Sequence, residues 1–372
     1  MSAHQITFKG IPIFWRDSEM QFLLAGISVA LFVMTNTLTT TNARDEHLRA
    51  VTENGHVVFI DSTGNVVIRP DVTRARSFVN GMSTIRSETG VWGYMNVRGE
   101  VVITPKYLSA SDFHEGLASV AFADSEYGAI NLKGDVVFRS GNAVGDFSEG
   151  LAMYLAPWTP QDGGSNKAGF VDVGGNIVIE ARFLGAEQFQ NGFATASSDG
   201  EQWGLIDRSG TFIIPAQFSR PLRFCEGLAA FEEDDLWGFI DIRGNRAIPA
   251  QFTRVGEFSE GVAAASIGQG GEWPKWGFID RKGQWVIEPQ FDGAERFSEG
   301  LAPILVMASP LERRWGYIDH NGEIVLRAQW LVAEAFAGGV AEVESHNRRG
   351  LINRAGELVW QDSETSEIEN KQ

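Results

Sequence analysis

Cysteine and basic residues are scarce in this sequence, and both shortages exclude classes of function. Cys225 is the single cysteine among 372 residues, so neither an intrachain disulfide nor a thiolate metal cluster can form. Lysine and arginine number 31 against 48 aspartate and glutamate residues, which gives a net charge of −17 at pH 7. Nucleic-acid phosphates require a basic surface. The composition therefore predicts that the protein does not bind nucleic acid.

Long apolar runs are also scarce. The one such run, "FLLAGISVALFVM" at residues 22–34, has 13 residues. A membrane-spanning helix needs about 20 residues, whereas the core of a signal peptide needs about 7–15. We therefore predict a leader at residues 1–45 that exports the protein to the periplasm or the outside. If the leader stays uncleaved, it anchors the protein to the membrane; if it is not a signal, the protein is cytoplasmic. Residues 361–372, "QDSETSEIENKQ", are predicted to form an acidic disordered tail.

Signatures of catalysis and of metal binding are missing as well. The 6 histidines are scattered without an H-E-x-x-H pair, and no D-x-D-x-D-G calcium loop occurs. The glycine-rich Gly268–Gly271 lacks the lysine of a phosphate-binding loop. We therefore predict no catalytic residue, no metal and no cofactor.

What the sequence has in abundance is a repeated string. "WGFIDRKGQWVIEPQFDGAERFSEGLA" begins at Trp276, and close variants begin at Trp237 and Trp315. The 42 glycines and 25 phenylalanines suit short strands joined by turns. Alignment on the W-G pair predicts nine copies within residues 46–360, whose first positions are Val57, Trp92, Tyr127, Ala168, Trp203, Trp237, Trp276, Trp315 and Arg349.

Each copy is predicted to form three short strands with a fixed turn between the second and the third. The turn is D-x-x-G, in which an aspartate or asparagine oxygen accepts a backbone bond and the glycine takes a left-handed conformation. We expect Gly277 to mark close approach of an aromatic ring from a neighbouring copy. We also expect the proline of "PAQF" to end strand pairing, and Ala294 and Phe297 to anchor a single turn.

A second landmark, F-x-x-G, carries a glutamate before its glycine in five copies. Such carboxylates could line up to bind a cation, but the favoured interpretation is a solvated turn residue repeated with its unit. Cys225 replaces the serine found in this motif at Ser148, Ser259 and Ser298, which indicates a drifted turn residue rather than a nucleophile. The glutamates are Glu115, Glu149, Glu226, Glu260 and Glu299.

The residues W-G-[FY]-I-D-x-x-G, V-I-x-P-x-F and F-S-E-G-L-A together resemble the bacterial WG-containing repeat family, also called KWG repeats. The resemblance covers about residues 46–360 and implies a β-rich array without catalytic residues. Several such units must stack to bury a continuous core. We predict an all-β tandem repeat in the form of an open, twisted solenoid. A closed β-propeller is the alternative; it is less favoured because typical propellers have fewer blades, each of four strands.

Length variation is concentrated in one loop of each copy, which predicts that this loop projects from one side of the array. Two of these loops carry Trp158 and Trp273, and a third carries Arg313 and Arg314. Tryptophan and arginine are enriched in binding hot spots, so we predict these four residues as binding residues. The favoured function is non-enzymatic binding of a protein or a glycan. The alternatives are a hydrolase with acidic residues in a groove or channel, and a purely structural spacer.

Overall fold

The computed structural model describes the backbone of residues 4–8 and 11–15, and residues 48–53, 55–157, 166–268, 273–309, 312–345 and 348–362. The chain divides into two compact units, Met1–Glu46 and His47–Gln372. In the first unit, β1 (His4–Phe8) pairs antiparallel with β2 (Ile11–Trp15). The predicted signal segment at 22–34 and the tail beyond residue 362 lie outside the described residues. No helix in the described part of the chain has the length and apolar character needed to cross a bilayer.

The second unit is a ring of nine small antiparallel sheets, which makes it a nine-bladed β-propeller. Blade 1 has three strands within the described residues, and each other blade has four strands that pair in chain order. In every four-stranded blade except blade 4 the first strand is only two residues long, and the fourth strand forms the exposed outer edge. The prediction of nine β repeats is therefore confirmed.

The strands are grouped by blade. The bounds are β3 Arg49–Glu53, β4 His56–Ile60 and β5 Val66–Ile68 in blade 1; β6 Arg74–Ala75, β7 Met82–Arg86, β8 Trp92–Asn96 and β9 Val101–Tyr107 in blade 2; β10 Ser109–Ala110, β11 Leu117–Ala121, β12 Tyr127–Asn131 and β13 Val136–Ser140 in blade 3; β14 Ala143–Ser148, β15 Leu151–Ala156, β16 Lys167–Asp172 and β17 Ile177–Phe183 in blade 4; and β18 Gly185–Ala186, β19 Ala194–Ser197, β20 Trp203–Ile206 and β21 Phe212–Phe218 in blade 5. They continue as β22 Phe224–Cys225, β23 Leu228–Glu233, β24 Leu236–Asp241 and β25 Arg246–Phe252 in blade 6; β26 Arg254–Val255, β27 Val262–Ile267, β28 Lys275–Asp280 and β29 Trp285–Phe291 in blade 7; β30 Gly293–Ala294, β31 Ala302–Ser309, β32 Glu312–Ile318 and β33 Ile324–Trp330 in blade 8; and β34 Val332–Ala333, β35 Val340–Ser345, β36 Arg348–Asn353 and β37 Leu358–Gln361 in blade 9.

The prediction of an open solenoid is wrong, because blades 1 and 9 pack against each other. Val58 and Ile60 of blade 1 share a buried apolar cluster with Leu351 of blade 9. Arg49 Nη2 also donates a hydrogen bond of 2.9 Å to the Ala337 carbonyl. Both terminal blades present apolar side chains at this contact rather than the polar outer faces that cap open arrays. Ring closure is what buries these side chains.

The antiparallel order gives the ring two distinct faces. The turns between first and second strands and between third and fourth strands lie on one side, which we call the turn face. The connections between second and third strands lie on the opposite side, which we call the loop face. The longest connections within a blade are of this second kind, and they therefore lie on the loop face.

The D-x-x-G turn forms as predicted. In blade 8, Asp319 Oδ1 accepts hydrogen bonds of 2.9 Å from the Asn321 N–H and 3.0 Å from the Glu323 N–H. Gly322 has a φ of 82°, a conformation that glycine adopts without steric cost. The carboxylate therefore sets the turn, and the glycine lets the chain enter the fourth strand.

Two local predictions around the W-G pair are wrong. A Cβ on Gly277 would lie 2.3 Å from the Ile287 carbonyl oxygen and 2.8 Å from the Pro289 nitrogen of the same blade, so the close neighbour is backbone and not an aromatic ring. Pro289 does not end pairing either, because Trp276 still pairs with Phe291 beyond it. The proline lies in a bulge of the fourth strand, and the glycine makes room for that bulge.

The stretch before F-S-E-G also differs from the prediction. Gly293 and Ala294 form a short strand of their own, β30, which pairs with β31. Phe297 follows in the connection to a two-residue hairpin turn formed by Glu299 and Gly300, both of which have positive φ. This pattern is the type I′ turn of tight hairpins. The sequence predicted only a single turn here, but the structure has a short additional strand, which is the first of the four strands in each of blades 2 to 9.

Candidate functional site

The glutamates of F-x-E-G lie in turns, as predicted, and Glu115, Glu226 and Glu260 are exposed to solvent. The prediction missed that these carboxylates also join one blade to the next. Glu299 Oε1 accepts a bond of 2.6 Å from the Gly338 N–H, and its Oε2 accepts one of 3.0 Å from the Gly339 N–H. We call this arrangement the interblade clasp. The other four glutamates accept backbone N–H bonds from the same turn of the following blade: Glu115, Glu149, Glu226 and Glu260.

Aromatic pairs reinforce these junctions. The ring two residues after the W-G tryptophan packs on the phenylalanine of the next F-x-x-G; Phe278 and Phe297, for example, have ring centroids 4.8 Å apart. Six junctions contain such a pair, with centroid separations between 4.6 and 5.0 Å. The phenylalanine that recurs in the sequence is therefore a contact between blades.

The junction between blades 5 and 6 lacks both devices within the described residues. Asn191 occupies the position of the clasp glutamate and makes no side-chain hydrogen bond, and Leu205 occupies the position of the aromatic ring. The hydroxyl of Thr195, a residue that is 4% exposed, also has no partner.

A cavity of about 760 Å³ opens at this junction. Its lining includes Cys225, whose thiol pKa is raised to about 11 by burial and by Glu257. This thiol is therefore not an activated nucleophile.

A larger concave site lies on the loop face, and we call it the tryptophan groove. It has a volume of about 1020 Å³, and Trp237, Trp276 and Trp315 of three consecutive blades line it. Each tryptophan lies in the first half of the third strand of its blade, or at its middle, and is half-buried. The short first strands supply the floor; Trp315, for example, lies against Gly293. The repeat thus brings three indole rings to one groove across blades 6 to 9.

Charged side chains share the groove with the rings. Arg220 lies 3.6 Å from Glu232 and places its guanidinium 5.6 Å from the Trp237 ring centroid. At the other end, Glu295 and Glu334 come from equivalent positions of blades 8 and 9. The pKa of Glu295 is raised by desolvation in the concave surface and by the charge of Glu334. The charged residues that line the groove in the described part of the chain are Arg220, Glu232, Asp235, Arg254, Glu257, Glu295, Arg296 and Glu334.

The binding residues predicted from sequence lie beside the groove or outside the described residues. Trp158 is outside them. Trp273 is on the loop face, 74% exposed, three residues before Trp276. Arg313 and Arg314 immediately precede Trp315, pair with Met307 and Val306 across their hairpin, and do not line the groove. The role of all four in binding stays a prediction.

A family comparison accounts for the repeat. The model of the WG containing repeat matches seven segments that together cover more than half of the chain: 59–88, 92–122, 169–201, 203–237, 237–273, 276–306 and 315–348. The chain belongs to the WG-containing repeat family. In this WG-repeat protein, the residues that define the family are those that form the blade, the bulge and the interblade contacts.

Solved structures resemble this WG-repeat propeller in fold alone. A eukaryotic initiation factor aligns over 85% of this chain and 96% of its own, at 11% identity and a TM-score of 0.57. The computationally designed Ika8 protein aligns over 84% and 98%, at 10% identity and a TM-score of 0.42. BamB from Moraxella catarrhalis aligns over 87% and 96%, at 8% identity and a TM-score of 0.39. No curated protein matches the sequence significantly.

The sequence held one signal for the groove, and the prediction missed it. The intact tryptophans of blades 6, 7 and 8 follow one another at an equal spacing of 39 residues. Blades 2 and 5 also have this tryptophan, whereas blades 1, 3, 4 and 9 have valine, tyrosine, alanine and arginine at the same position. The tryptophan also defines the repeat itself, so its presence in the sequence does not distinguish a ring that is wholly buried from one that is partly exposed.

Proposed function

We propose that this protein is a non-enzymatic binding protein that holds a partner in the tryptophan groove. The observation that supports the proposal is the convergence of three repeat tryptophans on one polar-rimmed groove. Indole rings offer large, rigid contact areas to proteins and flat faces to sugar rings. The groove crosses several blades, so it suits an extended partner such as a protein segment or a glycan chain.

The test compares two equivalent tryptophans. Trp276→Ala removes a ring from the groove, whereas Trp203→Ala removes the same kind of half-buried ring from blade 5, outside the groove. Both variants and the unmodified protein are applied to a glycan array and to a panel of synthetic peptides. We expect Trp276→Ala alone to abolish the binding of whichever probe is retained. Equal binding by the two variants, or no retained probe at all, contradicts the proposal and favours the structural spacer.

The same experiment extends to the exposed loops. Trp273→Ala tests whether the loop next to the groove contributes contacts of its own, as the sequence predicts. We expect a smaller loss than for Trp276→Ala, because Trp273 does not line the groove. A loss as large as that of Trp276→Ala would move the binding site to the loops.

Hydrolysis is a second candidate, favoured by one observation. Glu295 has a raised pKa and lies in the same concave site as Glu334, and glycosidases use a pair of carboxyl groups of which one has a raised pKa. Release of reducing ends from a panel of polysaccharides, abolished by Glu295→Gln, would support a hydrolase. Retained but uncleaved glycan would support binding alone.

We also propose that the protein is exported or membrane-anchored. The apolar run at residues 22–34 supports this, with the length of a signal-peptide core. Mass spectrometry of the mature N-terminus after expression in a bacterial host tests it. A terminus beginning after residue 34 in the periplasm supports export with cleavage, and an intact terminus in the cytoplasm contradicts export.

A further inference from the structure

The repeat tryptophan accepts cations elsewhere in this molecule. At Trp92, the guanidinium carbons of Arg76 and Arg86 lie 5.2 and 5.5 Å from the ring centroid. At Trp237, Arg220 takes a similar position at 5.6 Å. These distances are typical of cation–π contacts. Blade 2 and blade 6 thus fill the tryptophan site with arginines of the chain itself.

Trp276 and Trp315 differ from these two tryptophans. Within the described residues, no lysine or arginine head group lies over either ring. Arg254 and Arg296 line the groove without covering these rings. Two half-buried indole rings in blades 7 and 8 therefore remain available to a cation from outside.

The nearby carboxylates also lack a close ion pair. Among the described side chains, Glu295 and Glu334 form no ion pair and no side-chain hydrogen bond. The pKa of Glu295 is raised by desolvation and then by the charge of Glu334, while Arg296 acts in the opposite direction. Among the described residues, five carboxylates and three guanidinium groups line the groove. A bound cation would relieve the repulsion between the two glutamates and restore the charge balance.

From this geometry, and building on the proposed function, we propose that the tryptophan groove binds an extended, basic peptide segment of a partner protein. Lysine or arginine side chains of that segment would lie over Trp276 and Trp315 and pair with Glu295 and Glu334. An extended segment fits because the groove crosses four blades and, at about 1020 Å³, lies at the upper limit for small-molecule sites. The net charge of −17 also favours the approach of a basic partner.

The test uses fluorescence anisotropy with the full chain and a labelled octapeptide of alternating lysine and serine. The variants are Glu295→Gln with Glu334→Gln, and the matched control is Glu312→Gln, an exposed glutamate outside the groove. We expect the double variant to bind the peptide at least about tenfold more weakly than the unmodified protein, and the control to be unchanged. Added salt should weaken binding by the unmodified protein more than by the double variant.

Each other outcome has a distinct meaning. Equal peptide binding by the double variant and the control overturns the inference, as does failure of the unmodified protein to bind the peptide. If a neutral oligosaccharide binds instead and Trp276→Ala abolishes that binding, the proposed function stands while the basic partner is refuted. If neither probe binds, both proposals fall. Circular dichroism spectra of all variants show whether the fold is retained.

Discussion

The interblade clasp predicts that replacing the carboxylate of Glu299 by the amide of glutamine destabilises the whole ring. Glu299 accepts N–H bonds through both carboxylate oxygens, at 2.6 and 3.0 Å. Hydrogen bonds to charged groups contribute about 1.5–3 kcal/mol each, and neutral ones about 1 kcal/mol. Glu299→Gln keeps one neutral bond and turns the other acceptor into a donor that faces an N–H. Because Glu299 is only half-buried, we take the lower values and expect a loss of about 2 kcal/mol.

The measurement is urea unfolding followed by circular dichroism, with thermal unfolding as a second readout. For a ring of this size, 2 kcal/mol corresponds to a fall of about 3 °C in the midpoint temperature. Glu312→Gln is the control, because it makes the same chemical change at an exposed position whose side chain makes no bond in the described residues. Coincident unfolding of Glu299→Gln and Glu312→Gln would refute the clasp as a source of stability.

The junction between blades 5 and 6 offers the opposite change. Asn191→Glu introduces the clasp residue where the structure lacks it, opposite the backbone N–H groups of the turn at Glu226 and Gly227. Asparagine tolerates the local φ of 56° better than glutamate does, so a strain of about 1 kcal/mol offsets part of the gain. We expect a net stabilisation of about 1 kcal/mol. A destabilised Asn191→Glu variant would show that this junction cannot accept the clasp.

Three further predictions concern the blade itself. Gly277→Ala should lower the free energy of unfolding by about 3 kcal/mol or prevent folding, because its Cβ would lie 2.3 Å from the Ile287 oxygen. Gly261→Ala, at φ 86° but with nothing within 4 Å of the added Cβ, should lower it by only about 1–2 kcal/mol. Urea unfolding compares the two variants. Thr195→Val should be neutral or stabilise the protein by about 1 kcal/mol, because it removes a buried hydroxyl without a partner. The equivalent Thr84→Val should destabilise the protein, because it removes a hydrogen bond to Asp112. A loss of stability in both variants would contradict the conclusion that the Thr195 hydroxyl has no partner. The pKa of Asp241 is lowered chiefly by the Asn245 side chain and also by backbone N–H bonds, so its stabilising effect is present above the unfolded pKa of about 3.9 and is lost as the pH falls through the lower folded value. Asp241→Asn, which can still form the turn, should therefore lose less stability between pH 7 and about pH 3 than the unmodified protein, and thermal unfolding at both pH values checks this.

Local chemistry was the part of the fold that the sequence could predict. The D-x-x-G turn is specified within five residues, because the carboxylate of Asp319 reaches N–H groups only two and four positions away. The number of repeats followed from aligning the W-G pair that precedes this turn. Ring closure could not be read in the same way, because it depends on the angle between successive blades summed over the whole array, and no single residue encodes that angle.

The clasp and the groove were missed for a related reason. Glu299 bonds to a turn 39 and 40 positions away, so its partner becomes visible only when neighbouring blades are placed side by side. The groove requires the same step, because its tryptophans are each one repeat apart. The short strand at Gly293 and Ala294 was missed because two residues are too few to show an alternating pattern.

The distribution of the clasp bears on how the groove can work. The junctions from blade 6 to blade 9 each have a glutamate clasp and an aromatic pair, and these are the junctions that the tryptophan groove crosses. Within the described residues, the closure between blades 9 and 1 has neither device but is held by the Arg49–Ala337 bond and a buried apolar cluster. The junction immediately before the groove, between blades 5 and 6, also has neither device. Local opening follows the weakest contacts, so opening of the ring is expected there rather than within the groove. The groove tryptophans are therefore held at fixed positions before a partner arrives, which lowers the entropy that binding must overcome.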